Sequence, residues 1–339
     1  MRGLKFLGNR QSILQDFPTP KAKDAWLVVK VCSCALCGSD LNTRYRPDNS
    51  VAYKGNTSIP GHEISGEVVE VDKSAVFKVG DRVSIYPLIT CGTCTYCKNK
   101  LWKLCPNKQI IGYDLDGGCA EYVTVPEWSC VGIPPEVSYD EAALLWDPVG
   151  APYGAIERLR VNKRDVVAVF GVGPMGLGAV NICHLLGATT VAIDVIDKRL
   201  ELAKKLGADY VLNSKACDIT KELEKITKGQ GVDVFLECTG KEEVLHQIFS
   251  LARTGARCGL IGELGVVNRI DVSEEILHKD LTIVGSWMYD LEGFFKLISL
   301  LKKGLNVLEL VTHRFPLEKA VEAWALFDKG ETGKVIINP

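Results

Sequence analysis

Residues 169–176, Val169-Phe170-Gly171-Val172-Gly173-Pro174-Met175-Gly176 (VFGVGPMG), join an apolar run at 165–170 (DVVAVF) to a helical pattern at 175–188 (MGLGAVNICHLLGA). Three glycines between a strand and a helix allow a tight turn. They also let a pyrophosphate approach the helix N-terminus, where free N–H groups and the helix dipole favour it. The next strand, 189–194 (TTVAID), ends on Asp194, 18 residues after Gly176. An acid there accepts hydrogen bonds from ribose hydroxyls and repels a 2'-phosphate, so NAD is expected over NADP. Gly171, Gly173, Pro174, Met175, Gly176 and Asp194, with Arg199 and Gly262, form the expected cofactor set. Lys198 and Arg199 keep NADP as the alternative.

Outward from this turn, strands and helices alternate: DKRLELAKKLGA is a helix closed by Gly207, followed by YVLN, ITKELEKITKG, VDVFLECTG, EEVLHQIFSLART, ARCGLIG and LTIVGSW. That rhythm implies βαβ units and a doubly wound parallel sheet. Before it, short strands bounded by Gly, Pro, Asp or Asn (AWLVVKVCSC, ISGEVVEVD, GDRVSIYP, AEYVTVP) indicate an irregular all-β domain. After it come helical segments (FFKLISLLKKG, PLEKAVEAWALFDKG) and a short strand, KVIIN. The expected fold class is α/β plus β. The β domain is expected to span 1–148, a Rossmann-type domain 149–286, and residues 287–339 to return to the β domain.

The 339 residues suffice for two cored domains, and 47% apolar with 24% charged residues is a globular composition. A formal net charge of -2 gives no electrostatic reason to bind nucleic acid or an anionic membrane, which leaves a small molecule as the expected partner. Charge interrupts every apolar run of the opening MRGLKFLGNRQSIL, unlike an export signal, so a cytoplasmic location is expected. The long uncharged run 166–193 carries too many glycines, with Pro174, Asn181 and His184, for a membrane span.

Thirteen cysteines without an export signal suggest metal binding before disulfides. In CGTCTYCKNKLWKLC, Cys91, Cys94, Cys97 and Cys105 are separated by two, two and seven residues. Such spacers wrap successive thiolates around one ion and return a fourth to close a tetrahedron, the pattern of a structural zinc with no open position. A second, dispersed candidate set is Cys37 in CGSD, His62 and Glu63 in PGHE, and Asp147 in LLWDPVG. Taken singly, these are equally a buried thiol, a core histidine and a helix-capping acid. The Cys34-x2-Cys37 pair could be a redox dithiol, but it lies in a β-rich segment without the strand-to-helix start that motif needs.

Together, CGSD, GHE, GDRV, the four-cysteine lobe, DGGCAEYV, the acid before Pro148, GVGPMG and VTHRFPLEKAVEAW resemble the zinc-dependent medium-chain dehydrogenase/reductase family. The likeness spans nearly the whole chain, and the ending with its acidic ligand position is similar to the polyol dehydrogenase branch. It implies a GroES-like catalytic domain and a catalytic zinc held by Cys37, His62 and Asp147. Glu63 is implied as an alternate ligand or as the group orienting a metal-bound water, and Ser39 as the hydroxyl that passes the substrate proton toward solvent, in a relay through Ser39 and water. Asp147 is shorter than the usual Glu, so its oxygen either sits closer to the ion or binds through water.

The resemblance departs at two places. Asn42 stands where relatives often carry a proton-accepting His, and Met288 where sorbitol dehydrogenases carry a substrate-wall Arg, a stretch closer to galactitol-phosphate dehydrogenases. Arg44, Arg46 and Lys54 could meet an anionic substrate, or form an exposed basic loop. The expected reaction is reversible, NAD-linked oxidation of a secondary alcohol in a polyol or sugar alcohol, free or phosphorylated, by a homodimer or homotetramer with two zinc ions per chain. The alternatives are a threonine-like, butanediol-like or hydroxy-acid dehydrogenase, and a non-catalytic NAD-responsive regulator of the same fold.

Overall fold

A computed structural model describes residues 1–47, 58–263 and 265–339. The chain divides into two compact units, residues 1–146 with 311–339 and residues 147–310. The expected return at 287 therefore falls at 311. The reason is local: the helix Glu292–Leu301 packs on the helix Gly150–Arg158 and buries Phe294, Leu297 and Ile298 within the second unit.

The first unit is built on a seven-stranded sheet. Along it run Val311–Pro316, Lys334–Asn338, Trp26–Ala35, Glu63–Glu70, Arg82–Ile85 and Cys130–Gly132, with Tyr122–Pro126 also paired to Trp26–Ala35. In Trp26–Ala35, Leu27, Val29 and Val31 alternate into a core shared with Ile64, Val68, Val83, Ile85 and Trp324. A hairpin, Arg2–Gly8 with Gln11–Asp16, and the strand Val311–Pro316 add to the strands that alternation indicates.

The second unit holds a six-stranded, wholly parallel sheet in the order Tyr210–Asn213, Thr189–Asp194, Val166–Phe170, Val232–Glu237, Ala252–Leu260, Thr282–Gly285. The strand order reverses beside Val166–Phe170, the switch point at which such sheets take their ligands. Apolar runs such as VVAVF suit strands covered on both faces. The strand Ala252–Leu260 begins earlier than its sequence pattern suggests, because Ala252 pairs with Val232 ahead of a register shift. Among the described residues no helix is long and apolar enough to cross a membrane.

Candidate functional site

Strand pairing assembles the dispersed set. Trp26–Ala35 runs antiparallel to Glu63–Glu70 with Ala35 opposite Glu63, so Cys37, just past one strand, meets His62 and Glu63 at the start of the other. Asp147 directly follows Trp146, which anchors the end of the first unit: its indole is fully buried, donates to Ser84 Oγ at 2.7 Å and packs on Tyr86. Upstream, Ser138 and Glu141 form a capping box that starts the helix Tyr139–Leu144 and carries the chain to this point. One ligand atom each from Cys37, His62, Glu63 and Asp147 lies within 4.8 Å of the others, and all four residues are buried. Tetrahedral ligands on one ion at about 2.0–2.3 Å are about 3.3–3.8 Å apart, so ligand atoms already within 4.8 Å of one another need shifts of only about 1 Å to share a single metal.

Around it stand groups the sequence motifs did not single out. Asp40 Oδ2, fully buried, lies 3.3 Å from His62 Nδ1, which leaves the other ring nitrogen for a metal. Lys334 Nζ is paired with Glu63 Oε1 and donates to the Leu36 carbonyl at 2.8 Å. Glu63 thus carries a counter-charge that its reading as an alternate ligand did not include. Ser39 Oγ donates to Cys37 Sγ at 3.2 Å and accepts from Tyr113 Oη at 3.0 Å. Burial, reinforced by the negative charge of Asp40, pushes the Tyr113 phenol well above its ordinary range, so it stays a protonated donor. Asp40 was visible in CGSD; nothing local marks Tyr113 or Lys334.

The basic-loop readings are corrected. Arg44 is fully buried, donates to the Ser58 carbonyl at 2.7 Å and lies over the rings of Phe6 and Tyr113. Arg46 is tied to Asp328 at 2.6 Å and to Asn42 Oδ1 at 2.7 Å. Lys54 lies outside the described residues. Cys34 faces Cys119 at 3.8 Å inside the core, away from the dithiol reading of its spacing to Cys37.

The second cysteine set is compact. Sγ–Sγ separations are 3.4 Å for Cys94–Cys97, 3.6 Å for Cys91–Cys105 and 3.9 Å for Cys91–Cys97. Four thiolates on one zinc at about 2.3 Å are about 3.8 Å apart, so these residues suit a closed tetrahedral site. The backbone N–H groups of Thr93 and Cys94 draw the Cys91 thiol down to about 6, toward the thiolate a metal requires.

In the second unit, Gly171 adopts φ +83° and Gly176 sits so close to it that a Cβ would lie 1.9 Å from the Gly171 carbonyl oxygen. Gly173 caps the helix Pro174–Leu185, with Pro174 and Met175 in its first turn. Asp194 accepts from the N–H groups of Val172 (2.8 Å), Val195 (2.7 Å) and Ile196 (3.1 Å). Arg199 Nη1 lies 3.7 Å from Asp194 Oδ2 and beside Gly173. Gly262 donates from its N–H to the Glu237 carbonyl at 2.9 Å, next to the Gly240 turn. Met288 is buried with φ +59°.

A parallel nucleotide-type sheet in one unit, a four-cysteine lobe on the β unit and a buried Cys37, His62, Glu63 and Asp147 cluster define a metal- and dinucleotide-dependent oxidoreductase. The family profile described as "Alcohol dehydrogenase GroES-like domain" matches residues 23–135, and that described as "Zinc-binding dehydrogenase" matches residues 174–303. The chain is 34% identical to L-threonine 3-dehydrogenase of Pyrococcus horikoshii, over 95% of this chain and 94% of that protein. It is 33% identical to sorbitol dehydrogenase of Bacillus subtilis, over 100% and 97%. Among solved structures, galactitol-1-phosphate dehydrogenase from Escherichia coli matches with a TM-score of 0.90 at 26% identity, covering 100% of both chains. The chain belongs to the zinc-dependent medium-chain alcohol dehydrogenase family: it is an oxidoreductase with a GroES-like and a Rossmann domain, using zinc and NAD.

Proposed function

We propose that this protein oxidises a secondary alcohol of a polyol to the ketone, reversibly, with NAD as acceptor. The observation that carries the reading is the buried cluster of Cys37, His62 and Asp147 beside the Ser39 hydroxyl. Cys37, His62 and Asp147 would hold one zinc and Cys91, Cys94, Cys97 and Cys105 a second, structural one. When bound, the catalytic zinc acts as a Lewis acid on the substrate hydroxyl, and NAD accepts the hydride. Ser39 Oγ takes the hydroxyl proton. Asp40 fixes the His62 ring, and Lys334 holds one oxygen of Glu63, so that its charge is balanced beside the cluster. The Gly171–Gly176 turn binds the pyrophosphate, and Asp194 takes a ribose hydroxyl in preference to a 2'-phosphate.

Similarity to sorbitol and galactitol-1-phosphate dehydrogenases supports a polyol, and the burial of Arg44 with the pairing of Arg46 to Asp328 favours the free form over the phosphate. A second reading, a hydroxy amino acid, draws on the equal likeness to L-threonine 3-dehydrogenase. By resemblance the protein acts in the cytoplasm as a homodimer or homotetramer. The test is NADH formation by zinc-loaded protein across free polyols, their phosphates and L-threonine. Turnover of free polyols supports the proposal. Turnover of L-threonine alone, or of phosphates alone, replaces the substrate, and inactivity on all of them favours a different alcohol or the regulatory alternative.

A further inference from the structure

The Ser39 hydroxyl is held from two sides, by Cys37 Sγ at 3.2 Å and Tyr113 Oη at 3.0 Å. The Tyr113 ring is itself fixed. It packs against His62 with centroids 5.7 Å apart, the Arg44 guanidinium lies 5.4 Å from its centroid, and its carbonyl accepts from Ser58 Oγ at 2.8 Å. Thr43 Oγ1, one turn beyond Ser39, donates to the Ser39 carbonyl at 2.8 Å and lies 3.4 Å from Tyr113 Oη. Asn42 on the same turn has its Oδ1 engaged by Arg46. The phenol is therefore the side-chain donor that holds the Ser39 oxygen from the side opposite Cys37.

We propose that Tyr113 is a positioning residue for the reaction: by donating to Ser39 Oγ it orients the Ser39 hydroxyl beside the metal cluster. This rests on Ser39 as the proton acceptor. The substrate hydroxyl proton goes to Ser39 Oγ and the original Ser39 proton passes to water, while Tyr113 keeps its own proton and holds the Ser39 oxygen in place. Both side chains are unchanged at the end. The electron pair left on the substrate oxygen forms the carbonyl as hydride departs to NAD. Without the phenol, the serine hydroxyl is free to redistribute among its staggered rotamers, and only part of the population faces the substrate.

Tyr113→Phe removes one oxygen and keeps the ring contacts. With zinc content unchanged, kcat is expected to fall roughly tenfold or more, the solvent deuterium isotope effect to change, and the loss to vanish in a Ser39→Ala background. A cobalt-substituted protein gives a readout independent of turnover: releasing the Ser39 donor from Cys37 Sγ is expected to shift the thiolate-to-cobalt charge-transfer band in Tyr113→Phe. Wild-type kcat and isotope effect with an unshifted band, while Ser39→Ala is impaired, would overturn the role of Tyr113 alone. Additive losses in the double variant would do the same. A fully active Ser39→Ala would overturn the proton-acceptor reading itself.

Discussion

Replacing Lys334 by Met removes an ammonium that is 1% exposed and paired with the fully buried Glu63. The carboxylate then sits uncompensated among the ligand atoms of Cys37, His62 and Asp147, and the Leu36 carbonyl loses a donor. Breaking a buried pair by removing one partner costs about 3–5 kcal/mol. In a unit of this size each kcal/mol moves the melting temperature by about 2–4 °C, which gives a drop of roughly 6–20 °C. A bound zinc supplies positive charge at the same cluster, so the drop is expected to be larger after chelation than in zinc-loaded protein. Calorimetry, which separates the transitions of the two units, is the assay. Lys334→Met/Glu63→Gln replaces the stranded charge with a neutral group and is expected to recover most of the loss. A shift equivalent to less than about 0.5 kcal/mol with and without zinc would refute the buried pair and the charge accounting built on it.

Three other substitutions test separate parts of the molecule. Cys105→Ser is expected to reduce zinc from two ions per chain to one and to lower thermal stability; two retained zincs would remove that thiol from the lobe. Asp194→Asn keeps the shape of the side chain but not its charge, and should raise kcat/KM for NADP relative to NAD by about tenfold or more, an increment of about 1.4 kcal/mol. An unchanged ratio would mean that the Asp194 charge does not select the cofactor. Gly178→Ala places a Cβ 1.9 Å from the Pro148 carbonyl oxygen, so the helix must move away from the segment that follows Asp147. A loss of about 1–3 kcal/mol and reduced turnover are expected, and a variant with wild-type melting and kcat would show that this close approach does not hold the segment in place.

The Rossmann unit was legible because its signals are local: VVAVF, three glycines, a helix, and Asp194 at the end of the next strand. The cysteine lobe was legible for the same reason, its four thiols falling within one short segment. The groups around Ser39 and Glu63 were not. Lys334 stands 271 residues from Glu63 and reaches it only because the last strand pairs with Trp26–Ala35. Tyr113 meets Ser39 across 74 residues. Arg44 and Arg46 looked like a basic loop because sequence reports charge without burial, and tertiary contacts decide the rest. The helix Gly150–Arg158 was hidden by two glycines and a proline, residues that propensity assigns to turns, yet seven of its positions are buried by packing. The strand Val311–Pro316 lacks apolar alternation because most of its residues face solvent at the sheet edge.

The most direct test of the central claim is the zinc content and turnover of Asp147→Ala measured on one preparation. If Asp147 completes the catalytic cluster with Cys37 and His62, turnover is lost while the four-cysteine lobe keeps its zinc, and the metal content falls toward one ion per chain. Wild-type turnover with two zinc ions still bound would contradict the assignment.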